Sequence, residues 1–320
     1  MSRVRPRTRD TSRYGVTPSD QREGIRVQAF LLQVFAGLSI GSVLLLIAIG
    51  LSLTFGQMGV INMAHGELIM AGAYTAFTVQ QVLTSAGVSL LLSIPIGFLV
   101  SGLIGLVLEA LIIRWMYHRP LDTLLVTFGV SLVLQQLARD IFGAPAKQVL
   151  APGWLSGYVS VGSLDLAKAR LFILAVSLLA TGAVAATIML TPLGRRLRAS
   201  VQNRDLAETL GISTRRIDQT AFFIGSGLAG IAGVCLTLIG STGPTIGTTY
   251  IVDAFLVVVV GGIGQIRGTV LAAFVLGMLQ SLFEYTTSAS IGRVIVLLLI
   301  VVFLQVRPQG LFTVRSRSLV

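Results

Sequence analysis

The chain has 320 residues, of which 54% are hydrophobic and only 12% are charged, and its formal net charge is +11 at neutral pH. Such a low charged fraction excludes an ordinary soluble domain and predicts an all-α polytopic membrane protein. Nucleic acid is not expected as a partner, because the arginines cluster between or outside the apolar runs, as the positive-inside rule produces.

The chain begins with residues 1–27, which hold seven arginines and are predicted to form a disordered basic cytoplasmic tail. A transmembrane domain is expected over residues 28–312, and a short cytoplasmic tail over residues 313–320. The apolar runs in the domain are close to the ~20 residues that a helix needs to cross a bilayer, so about 8 to 10 transmembrane helices are predicted. These runs cover residues 30–54, 60–83, 90–113, 121–142, 171–190, 219–240, 249–264, 268–284 and 291–306.

The segment Phe55–Tyr74 carries hydrogen-bonding side chains in an otherwise apolar stretch, namely Gln57, Asn62, His65 and Glu67. Such side chains are costly at membrane depth unless they face protein or water, so they commonly mark a functional site. In a continuous helix, Asn62 and His65 would share one face, whereas Glu67 would lie opposite and align with Tyr74. Either the helix breaks near Gly66, or Glu67 bonds to a neighbouring helix while the other two face a path. Hydrogen bonding between helices is the plain structural alternative.

The distribution of arginines predicts which segments share a side of the membrane. Residues 1–27, the loop with Arg114 and Arg119, segment 191–218 and the residues after 306 are all expected in the cytoplasm, so both termini are predicted there. Three full crossings before Arg114 would contradict this. A broken or re-entrant segment is therefore predicted over residues 56–66.

Two acidic residues, Asp253 and Glu284, lie beside apolar runs near the predicted external side. Asp253 would cap a helix start in one interpretation, and Glu284 would pair with Arg293. In the other interpretation both acids line the mouth of a path.

Segment 191–218 carries closely spaced helix signals. Pro192 suits a first helical turn, Asp205 and Glu208 have capping-box spacing, and Gly211 would end a short helix over residues 206–210. The pattern predicts a compact charged coupling segment that fits a groove on a soluble partner, with a solvated loop as the alternative. Since no GxxxxGK[ST] phosphate loop occurs, this chain is not expected to hydrolyse ATP itself.

Three separated motifs resemble one known family, the permeases of ABC importers for branched-chain amino acids and urea. They are Phe55–Tyr74 with its INMAHGE core, LGISTRRIDQTAFFIGSGLAGIAGV at residues 210–234, and RPQGLF at residues 307–312. The resemblance covers about residues 30–312, and the first motif together with STGPTIGTTYIVDAFLVVVVGGIGQIRGT looks closer to the urea permeases. It therefore suggests a urea permease subunit, with a branched-chain amino acid permease as the alternative.

The resemblance implies a second homologous permease, two ATPase subunits that bind ATP and Mg²⁺, an external solute-binding protein and the bacterial inner membrane. No cofactor or metal is expected in this chain. The implied coupling residues are Arg198, Asn203, Arg204, Asp205, Glu208 and Gly211. The predicted substrate path consists of Gln57, Asn62, His65, Glu67, Tyr74, Asp253 and Glu284.

Urea is small, neutral and planar, so the amide and imidazole groups of Gln57, Asn62 and His65 suit it without ion pairing, although backbone groups could equally satisfy them. A zwitterionic amino acid would require fixed charges or helix ends. Two remote alternatives are a passive urea channel and an intramembrane hydrolase with Ser226 and His65 as a dyad.

Overall fold

The computed structural model describes residues 18–312 apart from residues 118 and 163. Within these residues the chain is almost entirely α-helical, with a single short β-hairpin. The elements are α1 (Pro18–Met58), α2 (His65–Val82), α3 (Ala86–Leu111), α4 (Pro120–Phe142), β1 (Tyr158–Val161), β2 (Leu164–Ala167), α5 (Lys168–Leu190), α6 (Pro192–Gln202), α7 (Arg204–Thr209), α8 (Thr214–Leu236), α9 (Ile246–Gly261), α10 (Ile266–Thr286) and α11 (Ala289–Val306). Short 3-10 helices cover Ile113–Met116 and Gly153–Leu155.

Seven of the described helices are long and apolar enough to cross a membrane, namely α1 from Val27 onward, α3, α4, α5, α8, α10 and α11. Helix α9 is apolar but shorter. The prediction of an all-α polytopic membrane protein is confirmed.

The two ends of the bundle are distinguished by their contacts. At one end, called the Arg204 end, Gln57 near the end of α1 bonds to Asp218 near the start of α8. The backbone N–H of Leu311 bonds to the carbonyl of Val260 beside the end of α9. At the other end, called the hairpin end, Gln80 near the end of α2 exchanges hydrogen bonds with the backbone of Leu150.

Helix α1 runs from the hairpin end to the Arg204 end, antiparallel to α10. The Ser281 hydroxyl near the end of α10 donates to the Gln33 carbonyl at 2.9 Å, while Gly56 lies against Gly264 just before α10 begins. The start of α1 and the coupling segment therefore lie at opposite ends of the bundle. The sequence analysis placed both termini on the same side as the coupling segment. The described start of α1 lies at the opposite end, so it does not fit that prediction.

The physical reason lies in residues 59–82. This stretch returns from the Arg204 end to the hairpin end as an extended piece followed by α2, so three passes precede Arg114 and α1 must start at the hairpin end. The broken early segment itself is confirmed: α1 stops at Met58, Gly59 has φ +66°, and α2 begins only at His65.

The described part of α1 includes residues 18–27 of the predicted tail. Residues 1–17 and 313–320, the rest of the two predicted tails, lie outside the described residues.

Glycines allow the central helices to meet backbone to backbone. A Cβ added at Gly50 of α1 would lie 2.3 Å from the Gly225 carbonyl oxygen of α8, and one at Gly72 of α2 would lie 2.1 Å from that of Gly230. In a bilayer the hydrophobic effect does not drive helices together, because lipid tails are as apolar as the side chains. Close packing through small residues therefore becomes important. They place α1, α2 and α8 at the centre of the bundle.

Candidate functional site

The coupling segment begins with α6, which packs against the end of α5 and the start of α8. Pro192 occupies the first turn of α6 after Thr191, as predicted. Leu197 is buried against Ile217 of α8, and the Arg198 guanidinium donates at 2.9 Å to the Ile188 carbonyl near the end of α5. Arg198 therefore holds α6 in place and satisfies a carbonyl that the end of α5 leaves without a helical partner.

The start of α7 corrects the predicted capping box. Asn203, in an extended conformation, accepts the Leu206 N–H at 2.9 Å and is the N-cap. Asp205 lies inside the first turn and is exposed, while Glu208 accepts a hydrogen bond from the Thr214 hydroxyl. The capping-box prediction is wrong because the helix starts at Arg204, two residues before the predicted start.

Gly211 follows α7 with φ +77°, a conformation that favours glycine. Its backbone N–H bonds to the Glu208 carbonyl at 2.9 Å. The predicted end of the short helix near Gly211 is confirmed, since α7 closes at Thr209.

A buried polar network joins α7 to the membrane helices. The Arg204 guanidinium lies 2.5 Å from Asp218 Oδ2, and Gln57 Nε2 donates to Asp218 Oδ1 at 3.2 Å. Arg204 also lies over the Tyr117 ring at 5.3 Å, and the Tyr117 hydroxyl donates to Glu109 at 3.0 Å. We call these five residues the Asp218 network. It connects the coupling segment to the last turn of α1.

The surroundings of Tyr117 keep its hydroxyl protonated. Burial, with the nearby charges of Asp218 and Glu109, raises the pKa of Tyr117 above its ordinary value, so the phenol stays neutral and can donate a hydrogen bond.

The sequence analysis missed Asp218. Its signal was a lone acid in the first turns of an apolar helix, between the buried apolar residues Ile217 and Ala221.

The predicted path residues of the broken segment are separated by the fold. Gln57 belongs to the Asp218 network at the Arg204 end. His65 is fully buried against Gly50 of α1 and faces the Ile47 carbonyl, and Asn62 is also buried. Gln57, Asn62 and His65 therefore do not form one cluster, and none of them lines any of three well-defined cavities in the described part of the bundle.

Glu67 bonds to the neighbouring helix α4, which was one of the two predicted alternatives. Its Oε1 accepts the Ser131 hydroxyl at 2.8 Å and the Gln135 amide at 2.9 Å. Tyr74 lies further along α2 and stacks on Phe142 with ring centroids 4.2 Å apart. The predicted alignment of Glu67 with Tyr74 is observed, since both face α4.

The matching face of α4 is polar at every fourth residue, namely Thr123, Thr127, Ser131 and Gln135, and all four side chains are buried. The Thr127 hydroxyl accepts a hydrogen bond from the backbone N–H of Met63. This bond holds the broken segment against α4. Glu67 Oε2 and the Tyr74 hydroxyl are buried without a hydrogen-bond partner among the described residues.

The two acids near the hairpin end lie beside a cavity of about 150 Å³ between α1, α9, α10 and α11. Asp253 lines it from the middle of α9, so its interpretation as a helix cap is wrong. Glu284 lies 3.8 Å from Arg293, as predicted, and accepts the Gln280 amide at 3.0 Å. Gln280 and Arg293 also line the cavity.

The hydrolase dyad is not assembled. A Cβ at Gly105 of α3 would lie 1.9 Å from Ser226 Oγ, so Ser226 points to α3, whereas His65 lies against α1. The Ser226 hydroxyl has no hydrogen-bond partner among the described side chains and backbone.

A bundle of apolar helices with a charged helical segment packed at one end defines a polytopic membrane protein. Residues 33–304 match the family described as "Branched-chain amino acid transport system / permease component", and the chain belongs to that family.

Several relatives align over most of the chain. The high-affinity branched-chain amino acid transport system permease protein LivH of Escherichia coli K12 is 31% identical over 300 residues, covering 88% of this chain and 95% of LivH. BraD of Pseudomonas aeruginosa, with the same description, is 29% identical over 295 residues, with the same coverage of both chains. LivM of E. coli K12 is 26% identical over 296 residues, covering 83% of this chain and 67% of LivM. No solved structure gives a significant match.

Proposed function

We propose that this protein is one of two permease subunits of a bacterial inner-membrane ABC importer that moves branched-chain amino acids into the cell. The observation that carries the proposal is the family match over residues 33–304. The names of LivH and BraD support the solute class, and the match to LivM supports a second homologous permease as partner.

The coupling segment has the surface expected of a docking site for ATPase subunits. Val201, Leu206 and Leu210 expose 55%, 57% and 73% of their surface, although they belong to an otherwise charged segment. Exposed apolar residues rimmed by charges are typical of protein interaction sites. Six arginines over residues 195–216 put this end in the cytoplasm by the positive-inside rule.

The Asp218 network connects the proposed docking surface to a membrane-spanning helix. Movement of α7 pulls on Asp218 through Arg204, and Asp218 is bonded to Gln57 in the last turn of α1. Since α1 ends at the broken segment, a shift of this network biases the bundle between inward-open and outward-open states. ATP and Mg²⁺ bind in the ATPase subunits, and an external solute-binding protein delivers the solute at the hairpin end.

Branched-chain amino acids are preferred over urea on chemical grounds. The argument for urea depends on Gln57, Asn62 and His65 acting together, and these three side chains contact different neighbours. Urea stays the second solute to be measured, because the motifs at Phe55–Tyr74 and after Gly240 look closer to urea permeases.

The test is uptake into liposomes that contain this protein, its partner permease and both ATPases, with the binding protein and ATP supplied on the appropriate sides. We expect ATP-dependent accumulation of labelled leucine that unlabelled valine reduces and urea does not. Accumulation of urea instead of leucine would overturn the solute, and flux without ATP would indicate a passive channel.

Docking is tested with one charge reversal and a matched control. Asp205 is exposed on α7, and Asp165 is an exposed acid in the hairpin at the other end. Asp205→Lys should lower co-purification of the ATPases and leucine uptake, while Asp165→Lys leaves co-purification of the ATPases unchanged. Equal behaviour of the two variants would remove α7 from the docking surface.

A further inference from the structure

The charged side chains of the cavity beside Asp253 lie toward the starts of α9 and α11. Asp253 lies about 10 Å along α9 from its start, and Arg293 about 6 Å along α11 from its start. Ile300, which lines the same cavity, lies about 16 Å along α11. Apart from Gln280, the rest of the lining is aliphatic.

The aliphatic lining comes from all four surrounding helices. It includes Leu44 of α1, Leu256 of α9, Leu276 of α10, and Leu297 and Ile300 of α11. A volume of about 150 Å³ is enough for a benzene-sized group, which is larger than the isobutyl side chain of leucine.

Arg293 lies beside a close contact between two helices, and its side chain is 49% exposed. A Cβ at Gly292 would lie 2.8 Å from the Glu284 backbone nitrogen, so α11 and α10 touch directly beside Arg293. The Nε of Arg293 lies 3.8 Å from Glu284 Oε1. The two terminal guanidinium nitrogens of Arg293 are therefore left to bind a carboxylate. Asp253 lines the same cavity from α9.

We propose that this cavity binds an aliphatic α-amino acid as a zwitterion during transport. Its ammonium group pairs with Asp253, its carboxylate with Arg293, and its side chain enters the aliphatic part beside Leu256 and Ile300. Gln280, itself 9% exposed, supplies an amide close to the charged groups. The inference deepens the proposed function and rests on it, because it assigns the solute-recognition residues of the permease.

The chemistry separates the candidate solutes. A carboxylate and a guanidinium beside aliphatic side chains complement the ammonium group, the carboxylate and the side chain of an aliphatic amino acid. Urea has neither charge, so it would leave Asp253 and Arg293 to each other and the aliphatic part of the cavity empty.

The first test measures leucine uptake by the reconstituted importer. Asp253→Asn and Arg293→Gln should each reduce uptake roughly 10- to 100-fold, the usual effect of losing a hydrogen bond to a charged group. The matched control is Asp140→Asn, which neutralises an exposed acid on α4. Uptake equal to that of the control in both variants would overturn the proposal.

A selectivity measurement excludes a purely structural role. Leu256→Phe narrows the aliphatic part, so it should reduce leucine uptake by about tenfold more than alanine uptake, as expected for a misfit of about one methylene group. A structural defect would reduce both solutes equally, and that result would count against the assignment.

Direct occupancy is measured by cysteine protection in the assembled importer without ATP. Leu297→Cys is placed in the cavity at a position with 43% exposure, and Tyr158→Cys, at a position with 67% exposure in the hairpin outside the membrane-spanning helices, is the control. Leucine at about ten times its dissociation constant should slow maleimide labelling about tenfold at position 297 only. The native Cys235 is buried.

The outcomes separate the two proposals. Protection by leucine in an importer that transports only urea would retain the site and overturn the proposed solute. Leucine uptake without protection at position 297 would retain the proposed function and overturn the site.

Discussion

The Arg204 guanidinium lies 2.5 Å from the Asp218 carboxylate, which has no exposed surface, whereas the Arg204 side chain is 31% exposed. The pair joins a helix of the coupling segment to a central helix of the bundle. Removing one partner of a buried ion pair leaves an uncompensated charge, which costs more than the pair itself contributes.

Arg204→Ala should therefore lower the free energy of unfolding by roughly 3 kcal/mol, because Asp218 is left buried and charged. The measurement is thermal unfolding of the purified protein in detergent. The matched control is Arg119→Ala, since Arg119 forms an exposed pair with Asp122 at 3.9 Å and exposed pairs contribute about 1 kcal/mol at most. The double variant Arg204→Ala, Asp218→Asn should recover part of the loss. Equal destabilisation by both single variants would contradict a buried pair.

Gly50→Ala should prevent normal packing of α1 on α8, because its Cβ would lie 2.3 Å from the Gly225 carbonyl oxygen. We expect a loss of about 1–3 kcal/mol or more, as for other overpacked cores. Gly129→Ala on α4 is the control, since a Cβ there meets nothing within 4 Å. The check is the detergent-solubilised fraction that elutes as a single species. Normal behaviour of Gly50→Ala would mean that the two helices are further apart.

Gly211→Val should abolish leucine uptake while the protein still inserts. A β-branched residue at φ +77° costs about 1–3 kcal/mol and displaces the end of α7. Gly157→Val introduces comparable strain at φ +89° before the hairpin, away from the coupling segment, and uptake should persist there. Uptake is compared at equal membrane levels of each variant. If both variants transport normally, the geometry at Gly211 is unimportant for coupling.

The described start of α1 should be accessible from outside the cell. An impermeant thiol reagent added to intact cells should label Val27→Cys and Gly157→Cys but not Asp205→Cys, because α1 begins at the hairpin end. Inverted vesicles should give the reverse pattern. Val27 is 58% exposed, so a cysteine there can react. Labelling of positions 27 and 205 from the same side would restore the topology inferred from the arginines.

Local features of the fold were predictable because short segments determine them. The broken segment follows from polar residues and glycines in Phe55–Tyr74, and the end of α7 follows from Gly211. The cap of α7 was assigned two residues too late, because Asn203 and Asp205 both suit an N-cap and only the observed start of the helix distinguishes them.

Contacts between distant segments were not predictable from one sequence. The bond between Gln57 and Asp218 joins residues 161 positions apart, and the cavity at Asp253 needs four helices to be assembled. The direction of α1 was also missed, because the rule for arginines weighs charge alone. The glycine contacts of α1 with α8, and its antiparallel contacts with α10, fix its direction through packing.

The backbone contact between Gly50 and Gly225 has a consequence for biogenesis. Helix α1 leaves the ribosome long before α8, so its glycine surface must first lie against lipid or against the insertion machinery. Helices inserted separately then associate in a second stage. A truncated chain that ends before residue 214 would hold α1 in the bilayer without its permanent neighbour, and its glycine surface would stay open to other helices.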